Sequence, residues 1–167
     1  MFVIEPVVYA DDRGFSVNVF APAAFKELGI NAEFAEDFTS YSKKDVVRGL
    51  HFQGAPFMQD KLVRCTQGEV FDVAADCDPA SPTYGKHVSM VLRGDKQVMV
   101  FIPGKYAHGF CVQSAEAIME YKLSDTFHPE AAGGARYDDP LFKIPWPVAA
   151  PILSPKDKAW PPLPLIA

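Results

Sequence analysis

No apolar stretch in this chain approaches the length needed to cross a bilayer, so the sequence predicts no transmembrane helix and no membrane partner. It also lacks an excess of basic residues. The formal net charge is −5, with 16 Lys and Arg against 21 Asp and Glu. A nucleic-acid binder needs a net basic face to meet phosphate, and that class is excluded. A small anionic ligand is not, because a few local cations hold one diphosphate. Cysteine is scarce: Cys65, Cys77 and Cys111 are odd in number, widely spaced and without a CxxC pair. That rules out a disulfide framework or a zinc knuckle and predicts small buried hydrophobes. The N-terminal residues, Met1 to Gly14, have no basic start and no long apolar run. No secretory leader is expected, and the expected location is the cytoplasm.

What is present suits one domain, residues 1–167, with a real core: 49% of residues are hydrophobic and 22% charged. The 15 Pro exceed the 11 Gly, which favours short elements between turns. One helix is predicted over 22–28, with Pro22 in its first turn and Gly29 at its stop. Short Val-, Phe- and Ile-rich segments at 15–20, 34–42, 61–67, 69–76, 87–92, 97–102 and 117–123 read as strands. Turn signals such as Gln67-Gly68, Arg93-Gly94-Asp95 and Pro103-Gly104 separate many of them. The prediction is an all-β, cupin-like jelly-roll barrel with one or two short helices and a proline-rich C-terminal segment. In Lys61-Leu62-Val63-Arg64-Cys65 the long polar side chains are expected on one face, and Lys61 points either into a lumen or out to solvent. The tail from Trp146 to Ala167 carries too much proline for a regular helix. Its Trp and Ile residues predict that it packs across the barrel and delivers Ser154-Pro155-Lys156-Asp157 to a fixed place.

Of the four histidines, two sit in suggestive settings: His51 in Val47-Arg48-Gly49-Leu50-His51-Phe52-Gln53, and His108 after the Pro103-Gly104 turn. A cupin metal centre needs three or four converging ligands, and His51 with His108 falls short, so no metal and no cofactor are expected. Acid–base work is the alternative, since a neutral imidazole accepts a proton from carbon when the anion is stabilised. That chemistry asks for a carboxylate to orient the imidazole, a cation at the developing oxyanion and an acid on the opposite face. Asp157 or Asp76, Lys61, and Tyr121 or Tyr106 are the respective candidates, and spacing alone does not choose among them.

Several ordered stretches carry a resemblance. They include Asp11-Asp12-Arg13-Gly14-Phe15, Arg48-Gly49-Leu50-His51-Phe52-Gln53, Ala107-His108-Gly109-Phe110, Ile144-Pro145-Trp146-Pro147 and Leu153-Ser154-Pro155-Lys156-Asp157. Over nearly its whole length the chain resembles the dTDP-4-dehydrorhamnose 3,5-epimerase family. The resemblance implies a metal-free jelly-roll homodimer acting on a nucleotide-diphosphate sugar with a C4 ketone. It implies His51 as the base at C3 and C5, Asp157 as its orienting partner, Tyr121 as the acid on the opposite face and Lys61 at the C4 oxyanion. Arg13 and Arg48 would grip the diphosphate, Arg13 from the other protomer, and His108 would line the same pocket. Phe15, Asn18, Glu36 and Gln53 fall in the stretches that contact substrate.

Three departures stand in those stretches. Glu36-Asp37-Phe38 replaces a usual Gln-Asp-Asn, Asn18 a usual Glu, and Thr126-Phe127 a Tyr-Tyr pair. An ionised Glu36 only accepts hydrogen bonds, which suits the amino group of cytosine or guanine and makes CDP or GDP the alternative nucleotide. The altered aromatic wall makes inversion at C3 or C5 alone the alternative outcome. The rival classes are a metal-dependent cupin enzyme, a ketoisomerase and a non-catalytic sugar-binding barrel.

Overall fold

The computed structural model describes residues 1–163; the end of the predicted tail, 164–167 with Pro164, lies outside the described residues. Two five-stranded antiparallel sheets face each other. The first runs β1 (Phe2–Ile4), β9 (Met99–Ile102), β6 (Lys61–Gln67), β11 (Glu116–Leu123), β4 (Glu36–Lys43). The second runs β12 (Ala132–Gly134), β5 (Val47–Gln53), β10 (Tyr106–Val112), β7 (Glu69–Asp76), β8 (His87–Arg93). This is the jelly-roll arrangement the segment pattern predicts.

Strand alternation decides what each sheet shows to the other. On β11 the inward residues are Ala117, Met119, Tyr121 and Leu123. Ala117 and Met119 join Val63, Cys65, Val70, Val100, Phe110 and Val112 in a core between the sheets. Further along the same strands the inward face becomes polar, with Lys61, Tyr121, His51 and His108 around a cavity. One end of the sandwich is thus a packed core and the other a binding chamber. Lys61, Val63 and Cys65 are buried on the inner face, whereas Leu62 packs beneath the outer layer and Arg64 bonds Glu120 and Gln97. Lys61 and Arg64 therefore stand on opposite faces, not one, because three positions is an odd step in a two-residue repeat.

The outer faces are covered by different means. Helix α1 (Pro22–Glu27) starts at Pro22, is capped at Leu28 and is followed by Gly29 at φ +79°. It lays Phe25, with Ile30, onto Leu62, Met99 and Phe101 of the first sheet. The C-terminal segment covers the second sheet, where Phe142, Ile144, Trp146 and Leu163 pack with Leu50, Val73 and Ala107. Against expectation, this tail holds a helix, α2 (Pro155–Ala159). Pro155 occupies the first turn, where no N–H is needed, and Ser154 Oγ accepts from Asp157 N at 3.0 Å.

Several boundaries also differ from the sequence reading. The segment at 15–20 pairs only as β3 (Gly14–Val17), in a two-stranded ribbon with β2 (Val8–Asp11). Phe20 leaves the strand to pack edge-on against Phe25 and Phe34. Strand 97–102 starts only at Met99, because Gln97 turns at φ +56°. Cys65 and Cys111 are buried as expected, and Cys77 is half-buried.

A close approach of glycines sets the spacing of β5 and β10. Gly49 has φ +121°, and a Cβ there would lie 2.5 Å from Gly109 Cα; a Cβ on Gly109 would meet Arg48 O at 2.7 Å. The register shifts between His108 and Phe110 at this point, and His51 lies opposite His108. Gly49→Ala is expected to destabilise the fold by about 3 kcal/mol or more, read as a lower urea midpoint.

Candidate active site

The chamber holds a cavity of about 310 Å³ walled by both sheets. The second sheet supplies Arg48 and His51 from β5 and His108 from β10; the first supplies Lys61 from β6, Tyr121 from β11, and Glu36, Phe38 and Ser40 from β4. Register sets their rows: Lys61, Leu123 and Glu36 are paired across β6, β11 and β4, and Tyr121 is paired with Phe38. His51 and Tyr121 thus approach the cavity from opposite sheets.

His51 Nε2 lies 2.5 Å from Asp157 Oδ1. An ionised carboxylate only accepts, so Nε2 carries a proton, and in the neutral imidazole the lone pair is then on Nδ1. The ring is half-exposed while Asp157 is buried. Burial alone raises the Asp157 carboxyl; the hydrogen bond and charge of His51, with Ser154 and Trp160, outweigh it and hold the carboxyl below its ordinary value. Helix α2 delivers this carboxylate, and Trp160 packs behind it on Gly134, where a Cβ would meet the indole at 2.3 Å.

A second imidazole–carboxylate pair lies deeper. His108 Nε2 donates to Asp72 Oδ1 at 2.7 Å, with both side chains buried. The His108 ring stands edge-on to Tyr121 at 5.8 Å. Burial pushes the Tyr121 hydroxyl far above its ordinary value and Asp72 adds to this, while Arg48 opposes it. Lys61 is 6% exposed and donates to Gln59 O at 3.1 Å. Burial pulls its ammonium down to about 8, and Asp60 offsets only part of the fall. A cation already stripped of water interacts strongly with charge that develops beside it.

Arg48 donates to Ser42 Oγ and Tyr41 O from the cavity wall. At the mouth, Lys156 Nζ lies 5.8 Å from the Phe127 ring and 5.4 Å from the Trp160 ring. Arg48, Lys61 and Lys156 make the chamber cationic, apart from Glu36 at its edge. The Asp72 and Asp157 carboxylates are each engaged by a histidine. Among the described residues no group of three or more His, Cys, Asp or Glu is arranged to hold a metal ion. No helix among them is long and apolar enough to cross a membrane.

Not every candidate gathers here. Asp76 accepts instead from Ser81, Thr83 and Asp78 N, and Tyr106 lines a separate cavity beside it. Of the paired alternatives, it is Asp157 that meets His51 and Tyr121 that lines the cavity. Gln53 reaches the wall, but its amide is engaged: it donates to Phe57 O and Thr126 O and accepts from His128 N. Arg13, Phe15 and Asn18 do not line the cavity of their own chain. Arg13 pairs with Asp11 near the ribbon tip, Phe15 is exposed, and Asn18 Oδ1 accepts from Phe20 N. Asp72, Ser40, Lys156 and Trp160 were not singled out as site residues from the sequence, whereas Phe127 was noted there as part of the altered aromatic wall. Asp72 left a signal, being an acid at an inward position of the apolar strand Val70 to Ala75.

Known proteins match this arrangement. The family model described as dTDP-4-dehydrorhamnose 3,5-epimerase matches residues 1–164. The Escherichia coli K12 dTDP-4-dehydrorhamnose 3,5-epimerase is 45% identical over 160 residues, 95% of this chain and 86% of that protein. The Bacillus anthracis enzyme of the same name, solved with TDP and PPi bound, superposes with a TM-score of 0.94 at 36% identity, covering 96% of this chain and 93% of that one. The Legionella pneumophila dTDP-6-deoxy-D-glucose-3,5-epimerase, in complex with dTDP-4-keto-L-rhamnose, gives 0.90 at 44% identity, covering 95% and 85%. With its family model matched along almost all of its length, this chain belongs to the dTDP-4-dehydrorhamnose 3,5-epimerase family.

Proposed function

We propose that this protein is an isomerase that inverts C3 and C5 of a dTDP-linked 4-keto-6-deoxy sugar. The observation that carries the reading is the His51–Asp157 pair, which opens Nδ1 toward a cavity holding Lys61, with Tyr121 on the opposite sheet. The ketone acidifies the C–H bonds beside it. His51 Nδ1 takes one such proton, leaving an enolate whose oxygen meets the Lys61 ammonium. Tyr121 then gives a proton to the other face of the same carbon, and the centre is inverted. The same groups act on the second carbon after the ring turns. No step calls on a metal or other cofactor. The Lys61 charge meets negative charge that is absent from the ground state, which is the kind of contact that lowers a barrier.

Arg48 is assigned to the diphosphate, together with Arg13 from a second copy. The support for a homodimer is the ribbon of β2 and β3. Val8, Tyr9 and Phe15 are exposed on it, and an isolated two-stranded hairpin is marginal in water. Phe15 and Asn18 then reach the nucleotide of the partner's cavity, while Glu36 and His108 belong to the chain's own. The protein is assigned to the cytoplasm, where nucleotide sugars are made. The nucleotide is dTDP, following the relatives; tighter inhibition by dTDP than by CDP or GDP is expected, despite the carboxylate of Glu36.

The test is turnover of dTDP-4-keto-6-deoxyglucose in D2O, with deuterons counted at C3 and C5 by mass spectrometry and NMR. Two deuterons in inverted positions are expected. One labelled centre would make this a single-centre epimerase, and none would overturn the reading.

A further inference from the structure

Ser40 carries a buried hydroxyl that closes no hydrogen bond of ordinary geometry, although it stands near enough to Tyr121 to act on its hydroxyl. The residue is 7% exposed, and its Oγ is one of three buried side-chain polar atoms among the described residues with no partner. Burying an unpaired hydroxyl costs about 1–3 kcal/mol, so an alanine would serve packing better. Its position points to a use. Ser40 pairs with Met119, and Phe38, two residues before it on β4, pairs with Tyr121. Ser40 and Tyr121 are therefore diagonal neighbours on one inner face, and both line the cavity. The next inward hydroxyl on β4, Ser42, is already spent on Arg48 at 2.8 Å.

Tyr121 is poorly placed to hold negative charge. Burial and the Asp72 carboxylate oppose a phenolate there, and Ser40 and Arg48 are the groups that act the other way. In the reaction as assigned, that phenolate has to form. His51 Nδ1 takes a proton from the carbon, and the C–H pair becomes the enolate. The enolate carbon then takes the Tyr121 proton on its other face, leaving imidazolium and phenolate, which exchange protons with water to reset the enzyme.

We propose that Ser40 is a positioning residue for Tyr121, its resting hydroxyl held beside the Tyr121 oxygen without a well-formed bond so that it donates fully as that oxygen gives up its proton. Ser40 keeps its own proton throughout. The contact is loose at rest and tightens as charge appears, so it favours the transition state over the ground state. This rests on the reading of Tyr121 as the acid.

The experiment separates proton removal from inversion. Ser40→Ala is incubated with dTDP-4-keto-6-deoxyglucose in D2O. Deuterium returned with retained configuration, which needs His51 and Lys61 but not Tyr121, is scored against inverted product. Exchange by Ser40→Ala within about twofold of wild type is expected, with inversion lower by about 10- to 100-fold, the worth of one hydrogen bond to a charged oxygen. Ser40→Thr, which keeps the hydroxyl, should recover most of the inversion. Wild-type inversion by Ser40→Ala, or exchange and inversion falling together in both variants, would overturn the proposal. A wild-type protein that neither exchanges nor inverts would instead bring down the epimerase reading itself.

Discussion

His51→Ala is expected to lose proton exchange at both carbons beside the ketone and to lower turnover by about 10³-fold or more, the upper part of the range for a lost general base. The His51 ring is half-exposed and its hydrogen bond runs to a carboxylate that Ser154 also holds through the backbone N–H of Asp157. The fold should therefore survive, and a thermal melt close to wild type is the control. Asp157→Asn should fall short of the same loss, because an amide can still accept from Nε2–H. It can also donate to Nε2, which would move the ring proton to Nδ1 and leave no base facing the cavity. Exchange of the solvent deuteron, followed variant by variant, ranks the two. A His51→Ala enzyme that still labels C3 and C5 would remove His51 from the chemistry. Acid should spare the pair for some way. The folded Asp157 carboxyl sits below its unfolded value of 3.8, so its stabilising contribution is present above that value. It is lost only as pH falls through the lower folded one.

Lys61→Met is expected to move activity and stability in opposite directions. Losing the cation at the developing oxyanion should cost about 10²–10³ in kcat. Lys61 is 6% exposed, and its ammonium falls from 10.5 to about 8 because burial penalises its charge. That difference corresponds to roughly 3 kcal/mol at neutral pH, an upper figure for what the fold spends to keep the cation dry. Its sign is that of a depressed lysine. The penalty is full below pH 8, shrinks as pH rises from 8 toward 10.5, and is gone above that window. The methionine variant should thus resist urea better than wild type at pH 7, and the gap should close by about pH 10.5. Wild-type kcat/KM should decline above pH 8 as the ammonium deprotonates. A variant that is both inactive and less stable at pH 7 would mean that Lys61 holds the fold together rather than storing a cost for catalysis.

Much of this was legible along the chain. The short β-rich segments and turn signals predicted the sandwich, and Pro22 with Gly29 bracketed α1 within a residue. The strands β5 and β10 carried His51 and His108 in recognisable motifs. Their glycines, read only as part of those motifs, turn out to be what allows the two strands to approach. The tail was expected to pack and to carry Asp157 to a fixed place, which it does. Its helix was missed because proline was weighed only as a breaker, although Pro155 stands at the one helical position that tolerates it.

The sequence by itself determined the fold class and, through its ordered motifs, the family, and it singled out His51 and His108 as candidates for chemistry. These rest on local spacing and residue type, and strand alternation turns such order directly into inside and outside. Tertiary structure decided the pairings: Asp157 rather than Asp76 for His51, Asp72 for His108, and Tyr121 rather than Tyr106 at the cavity. It also separated Lys61 from Arg64 and left Arg13 outside its own chain's chamber. Such choices join residues far apart in the chain, His51 and Asp157 being 106 positions apart. Separation along the chain carries no information about a 2.5 Å contact. Only the register of the sheets and the path of the tail bring those side chains to the same place.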